Sequence, residues 1–343
     1  MFWSIMLLSN ITSLKGVLDD SQSLAVAAGG SVKSLELLSG DELRRRSDTA
    51  SVMTHVIYSL TRSFAAEGFE WMLPVVLSKC TDPLWPDPGA SVEKRLEVEV
   101  YDEPVRATMS MIVHKMVACS LLAPKLFVIS PNVRIEKRER ASSGRHIYEF
   151  NQLDFEMRDA SADEVRRLVE RVLVGLTTSL REEMPETLIR LGGVDRIMIP
   201  RVRFPVFDRE ELEESYGKVW EEALPSELKG PAWVVNLPRE FYDYEDPATG
   251  RWDNYDLFLP DKGEVLSGAK REWELAKLRA KMGRDGVKEQ NYAVLLRLAE
   301  EGRLLHSAGA GIGIERLVSW IVGAGHVGEV QPFPRVPGIV GDL

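Results

Sequence analysis

The residues best suited to chemistry sit on two strand-like stretches. FVISPNVRIEKRE (127–139) and HIYEFNQLDFEM (146–157) are separated by the flexible RASSGR, the pattern of two antiparallel strands joined by a long loop. In the first, Arg134 and Glu136 fall on the same face. In the second, His146, Tyr148, Phe150, Gln152, Asp154 and Glu156 share one face, while Ile147, Leu153, Phe155 and Met157 share the other with Glu149 and Asn151. Arg145 and His146 close the loop. An arginine, an acid and an aromatic on one sheet face would suit a nucleotide. The ring stacks on a base, the carboxylate accepts from an exocyclic amine and the guanidinium grips phosphate in a fork. The same residues also read as a solvated charged face with an incidental phenylalanine.

A second stretch, GAGIGIERL (309–317), has glycines at 309, 311 and 313 followed by an acid and a base. It fails the dinucleotide fingerprint, because position 314 is Ile, and it lacks the Gly-Lys-Ser/Thr of a phosphate loop. Ile314, Leu317, Val318 and Ile321 instead follow a helical period, so the glycines line one side of a strand entering that helix. Bare backbone lets a flat group lie against it, and Arg316 at the helix start adds to an end that already favours anions. Close helix–sheet packing, with Arg316 in a surface ion pair, is the alternative reading. A third stretch, GEVLSGAKRE (263–272), offers Glu264 and Ser267 as oxygen donors for a hard cation such as Mg²⁺, and Arg271 as an anion receptor. By itself it is a commonplace glycine-flanked strand–helix junction.

These stretches need elements to hold them. Residues 41–68 suit an amphipathic helix, with Val52, Val56, Leu60 and Phe64 on one stripe and Gly68 as its stop. FEWMLPVVLS has strand character interrupted by Pro74, which suggests an edge or interface. A loop over 83–88 precedes a short LEVEV strand and a helix near 107–122. SADE (161–164) is a capping box opening a helix through Val165, Leu168, Val169 and Val172. Residues 185–230 read as an inserted, acidic helical excursion. AWVVNLP, YDLFLP and GEVLSG read as strands. Helices and antiparallel strands without a βαβ rhythm point to an α+β fold. Residues 1–40 form an N-terminal extension and 41–343 the main domain.

The chain has 343 residues and a formal charge of -10, which weighs against a protein whose main task is gripping nucleic acid. The two cysteines, Cys80 and Cys119, form no CxxC or Cys/His cluster and fit a reducing cytoplasm. The apolar MFWSIMLL is too short to span a bilayer, and a membrane role is not expected.

In order and spacing, the three stretches resemble the signature motifs of class II aminoacyl-tRNA synthetases, most closely the aspartyl/asparaginyl/lysyl subclass. The first motif matches the long helix with GFEWMLPVV and Pro74, the second VRIE…RHIYEFNQLDFE, the third GAGIGIERL; QPFPR (331–335) matches the closing segment. The resemblance covers roughly residues 41–340. It implies a class II synthetase-like antiparallel sheet flanked by helices, and a homodimer formed around Pro74. It further implies that Arg134 binds the α-phosphate and the reacting carboxylate, Glu136 the adenine amino group, and Arg145 and His146 the outer phosphates. Phe150 would stack on adenine. Arg316 would stack from the far side and reach the γ-phosphate, with Gly313 beside the nucleotide. Glu264 and Ser267 would hold Mg²⁺. Arg134 and Arg316 are the implied catalytic residues, acting by positioning and charge stabilisation.

For the amino acid, the resemblance implies that Asp82 binds the substrate ammonium. Lys115 and Arg271 would bind a carboxylate at the far end, with Gln152 and Ser267 also touching substrate. Two cations there favour aspartate. Ile112 departs from the pattern, since the family usually has glutamine at that position. Only about 40 residues precede the first motif helix, so no N-terminal OB-fold that reads an anticodon is expected, and tRNA is not the partner expected first. In that respect the chain is similar to archaeal asparagine synthetases, stand-alone paralogues of asparaginyl-tRNA synthetase. The implied partners are aspartate, ATP and ammonia. Free ammonia is expected because residue 2 is Phe2 and neither cysteine is terminal. An aminoacyl-tRNA ligase-like enzyme, or a non-catalytic aspartate- or ATP-binding paralogue, is the alternative.

Overall fold

The structure is a computed structural model that describes residues 32–82, 92–192, 197 and 199–341. Most of the 1–40 extension and the 83–88 loop lie outside the described residues.

Helix α1 (Gly40–Ala66) opens with the Ser39/Glu42 capping box, which satisfies N–H groups the first turn would leave unpaired. Its expected stripe of Val52, Val56, Leu60 and Phe64 is buried to within 1%. Full burial of each such side chain contributes about 1.5–3 kcal/mol. Helix α2 covers Ile112–Leu121, shorter than the 107–122 expected. Helix α3 (Ala162–Glu183) starts at the anticipated Ser161/Glu164 box.

Eight strands build the central sheet. They are β1 (Glu70–Trp71), β2 (Lys125–Val133), β3 (Glu149–Arg158), β4 (Val206–Asp208), β5 (Ala232–Val235), β6 (Asn254–Leu259), β7 (Gly263–Lys270) and β8 (Ser307–Gly313). Their order is β1-β2-β3-β8-β7-β6-β5-β4. The pairings are antiparallel except at the two edges, where β1 runs parallel to β2 and β4 to β5. The α+β reading therefore holds, with a sheet that is antiparallel through its centre. The excursion over 185–230 contains short helices, among them Arg209–Tyr216 and Trp220–Glu227, and also contributes edge strand β4.

One face of the sheet carries the core. Leu153 and Phe155 of β3 and Ala308, Ala310 and Ile312 of β8 pack with α1, α3 and the helix Ile314–Val322. By the period of two along a strand, the intervening Gln152, Asp154 and Glu156 and the three glycines of β8 face the other way. That second face floors the site. A separate cluster of Ile112, Val113, Met116, Leu278, Leu295 and Leu298 walls it from α2 and the helices Leu275–Arg284 and Ala293–Glu300.

Candidate functional site

A cavity of about 600 Å³ opens on the second face of the sheet. Asp82, Lys115, Arg134, Arg145, His146, Gln152, Glu264, Ser267, Arg271 and Arg316 all line it. A narrower slot beside it is walled by Phe150, Gly313, Glu315 and Arg316. Of the residues expected at the site, Glu136 alone lines neither space. It is buried on the two-residue strand 135–136, its Oε2 lacks a hydrogen-bond partner and lies 3.7 Å from Arg140 Nε, and burial pushes its carboxyl up.

The glycines of β8 have two different uses. A Cβ on Gly309 would lie 2.2 Å from Glu156 Oε2 and 2.2 Å from the Phe155 carbonyl, and one on Gly311 would lie 2.7 Å from Asp154 Oδ1. These glycines make room for the carboxylates directly opposite them on β3. Only Gly313, whose nearest neighbour would be 3.5 Å away, faces the slot as bare backbone.

Strand β7 is bulged between the Leu257–Leu266 and Phe258–Glu264 pairs, where Val265 becomes the extra residue. In a regular strand, Glu264 and Ser267 would project from opposite faces. The bulge brings both to the cavity and sends Val265 and Leu266 to the core. Arg316 Nη1 donates to the Glu264 carbonyl and to Glu264 Oε2, both at 3.0 Å. Burial opposes the charge on Glu264, but Arg316 and Arg239 outweigh it and hold the carboxyl below its usual range. Opposite Ser267 stands buried Asp256, which pairs with Arg239 and keeps Oδ1 without a partner. Burial pushes the Asp256 carboxyl up to about 7. Glu264 and Ser267 both line the cavity with oxygens of the kind a hard divalent cation takes, whereas Asp256 lines neither space.

On the opposite wall, Arg134 Nε donates to the Met109 carbonyl at 3.1 Å, and its guanidinium lies 5.2 Å from the Phe150 ring centre. Arg134 Nη2 is 3.9 Å from Asp82 Oδ2. His146 is held by the loop before it. Arg140 Nη1 lies 2.9 Å from Nε2 and Ser143 Oγ 2.6 Å from Nδ1. Arginine can only donate, and Ser143 Oγ already donates to the Arg140 carbonyl at 2.7 Å, so the imidazole carries its proton on Nδ1. Burial and the surrounding Arg316, Arg140, Arg145 and Arg134 push its pKa down to about 2. Both ring nitrogens are engaged by the loop, Nε2 with Arg140 and Nδ1 with Ser143.

At the far end, the two expected cations do not stand alone. Buried Lys115 lies 2.9 Å from Asp154 Oδ1, 3.0 Å from the Ala310 carbonyl and 3.8 Å from Glu156 Oε2. Arg271 Nε is 3.2 Å from Glu156 Oε1, and Nη1 pairs with Asp243. Ile112 lines this end as an apolar wall. Asp154 and Glu156 stand on the polar face the alternation assigned, so their position was legible although their role as counter-charges was not. Arg239, Glu240 and Asp243 come from an irregular segment after β5 and carry no periodic signal. Glu221 and Glu222 reach the cavity from the helix Trp220–Glu227 of the excursion. Glu315, the acid of the GAGIGIERL pair, accepts from the Asn151 backbone at 2.9 and 3.0 Å and from its amide at 2.8 Å, pinning that helix to β3.

This fold is that of a class II synthetase catalytic core. Residues 91–337 match the family of class II tRNA synthetases for D, K and N, and the chain belongs to that family. It is 27% identical over 231 residues to the asparagine–tRNA ligase of Clostridium novyi (strain NT), covering 59% of this chain and 50% of that protein. It is 28% identical over 241 residues to the same ligase of Clostridium botulinum (strain Eklund 17B / Type B), covering 62% and 51%. The chain thus spans about half the length of these relatives. Among solved structures it resembles asparaginyl-tRNA synthetase of Pyrococcus horikoshii complexed with asparaginyl-adenylate, with TM-score 0.78, 21% identity and coverage of 87% and 70%. The Entamoeba histolytica enzyme in complex with asparaginyl-adenylate gives TM-score 0.75, 17% identity and coverage of 86% and 68%. No helix among the described residues is long and apolar enough to cross a membrane.

Proposed function

We propose that the protein is an ATP-dependent, ammonia-using asparagine synthetase. The observation that carries this reading is a single cavity lined at one end by Arg134, Arg145, Glu264 and Arg316 and at the other by Lys115 and Arg271. Its volume is in the range that encloses small-molecule ligands.

In this reading the side-chain carboxylate of aspartate attacks the α-phosphorus of ATP and pyrophosphate leaves. Ammonia then attacks the acyl carbon of the aspartyl adenylate, loses a proton, and releases AMP with asparagine. The α-carboxylate lies toward Lys115 and Arg271, each already balanced by an internal acid. Arg134 steadies the reacting carboxylate and α-phosphate, with Phe150 and Arg316 on either side of the adenine. Arg145 meets the outer phosphates. Glu264 and Ser267 would hold Mg²⁺, which supplies charge neutralisation on the phosphates when bound. Stabilisation comes from fixed charges in a partly water-excluded site.

The cysteines support ammonia over glutamine as the nitrogen source. Burial pushes the thiols of Cys80 and Cys119 up to about 12, the opposite of an activated nucleophile. The homodimer is part of the proposal too: Trp71, Leu73, Val76 and Leu77, around Pro74, all present exposed apolar side chains.

Incubation with ATP, Mg²⁺, aspartate and ammonium should yield asparagine and AMP without tRNA. The asparagine–tRNA ligase relatives favour a second reading, in which tRNA is the acceptor. Charging of tRNA without asparagine release would select that reading, and absence of AMP under every condition would sink both.

A further inference from the structure

The nucleotide side of the cavity is completed by a short loop, the turn of 3₁₀ helix Arg138–Ser143, that leads into Arg145 and His146. That loop is clipped from outside by a chain segment far away in sequence. His326 Nε2 lies 3.1 Å from the Ala141 carbonyl, and the Val327 N–H donates to the Gly144 carbonyl at 2.8 Å. A carbonyl only accepts, so the His326 proton sits on Nε2. Nδ1 is then free to accept from the Gly328 N–H at 2.9 Å, as it does. The His326 N–H donates to Glu329 Oε1 at 2.9 Å, completing the box that fixes the turn Val327–Val330. One imidazole therefore shapes its own turn through one nitrogen and grips the loop through the other.

Contact between the two segments is close. Gly144 has φ +70°, and a Cβ there would lie 3.0 Å from the Gly325 carbonyl; at Gly338 it would lie 3.2 Å from Arg138. The two segments approach closely here, and the bonds from His326 and Val327 fix the loop against the turn.

We infer that His326 is a positioning residue for the nucleotide: it sets the 137–144 loop, and through that loop the side chains of Arg140, Arg145 and His146, before ATP arrives. The inference rests on the reading of the cavity as an ATP site. Holding a loop in its bound shape raises affinity by removing the ordering cost from the binding step.

The two nitrogens can be tested apart. In His326→Gln the amide nitrogen reaches the place of Nε2 and can donate to Ala141. In His326→Asn the shorter amide can cap the turn but cannot reach the loop. The measurements are thermal melts, titration with a non-hydrolysable ATP analogue, and aspartate-dependent ATP–pyrophosphate exchange. His326→Ala is expected to weaken analogue binding and raise KM for ATP about five- to tenfold, as loss of roughly one hydrogen bond implies, with kcat at saturating ATP and KM for aspartate within about twofold. His326→Gln should recover most of the nucleotide affinity. His326→Asn should recover the melting temperature but not the affinity. Unchanged KM for ATP in His326→Ala, or rescue by Asn rather than Gln, would overturn the role of His326. Analogue binding by the wild type without aspartate-dependent exchange would leave that role standing and remove the choice of amino acid. No nucleotide binding by the wild type would overturn both.

Discussion

Lys115 Nζ lies 2.9 Å from Asp154 Oδ1, with both side chains buried. The cation expected to meet substrate is thus half of an internal pair, and its removal acts on the fold as well as on the ligand. Lys115→Met strands a buried carboxylate, and breaking such a pair costs about 3–5 kcal/mol. The melting temperature should fall sharply. The double variant Lys115→Met/Asp154→Leu removes both charges and should regain most of the stability. Neither variant should recover aspartate affinity in ATP–pyrophosphate exchange, while ATP analogue binding stays within about twofold. A stable Lys115→Met single variant would mean that Ser130 Oγ, 3.1 Å from Asp154 Oδ2, suffices to hold the buried carboxylate.

The three glycines of β8 separate packing from ligand contact. Gly309→Ala puts a methyl against Glu156 Oε2 and the Phe155 carbonyl, each 2.2 Å away, and backbone cannot yield that far. The variant should lose more than about 3 kcal/mol or fail to fold, in the range of severe overpacking. Gly313→Ala meets nothing closer than 3.5 Å, and its φ of -69° suits any residue. It should fold with a melting temperature close to wild type. Because Gly313 lines the slot, ATP affinity in that stable variant should fall. Equal melting temperatures for the two variants would contradict the register of β3 on β8.

Arg316 is the side chain that ties the GAGIGIERL segment to the bulged strand, through two bonds to Glu264. Its loss removes a fixed positive charge from the nucleotide end and frees Glu264 to repel phosphate. Arg316→Ala should lower aspartate-dependent exchange by about 100- to 1,000-fold, the scale of removing one preorganised donor. The partly exposed position keeps the effect on folding small, which circular dichroism and a melt would verify. Near-normal turnover would refute the assignment.

Much of this site was legible because it rests on periodicity. Alternation along 146–157 put Gln152, Asp154 and Glu156 on one face, and the helical stripe of 52–64 located the core. The two oxygen donors at 264 and 267 were legible as residue types but not as neighbours, since their spacing of three makes a pair only across a bulge. Bulges are set by pairing with another strand and leave no mark in one strand's own sequence. Arg239 and Asp243 follow the same logic: they lie in irregular backbone, and their meaning comes from Asp256 and Arg271 across the fold. The neutralisation of Lys115 was hidden for a different reason. Sequence shows which charges exist, and only packing shows which of them are already satisfied.

Cys80 and Cys119 offer a check on the nitrogen source that needs no assay of turnover. Burial, helped by Asp82 near Cys80 and Glu156 near Cys119, pushes both thiols up to about 12. At pH 8 very little of either thiol would be ionised, and the thiolate is the reactive species. Native protein at pH 8 should therefore resist iodoacetamide at both positions, while protein in denaturant should take up two equivalents, one for each cysteine of the sequence. Raising the pH within the range where the fold persists should speed modification about tenfold per unit, the sign expected when the ionised fraction lies far below its midpoint. Rapid, stoichiometric labelling of one cysteine in the native protein at pH 8 would reveal an activated thiol. Glutamine would then return as a nitrogen donor, and ammonia dependence would lose its support.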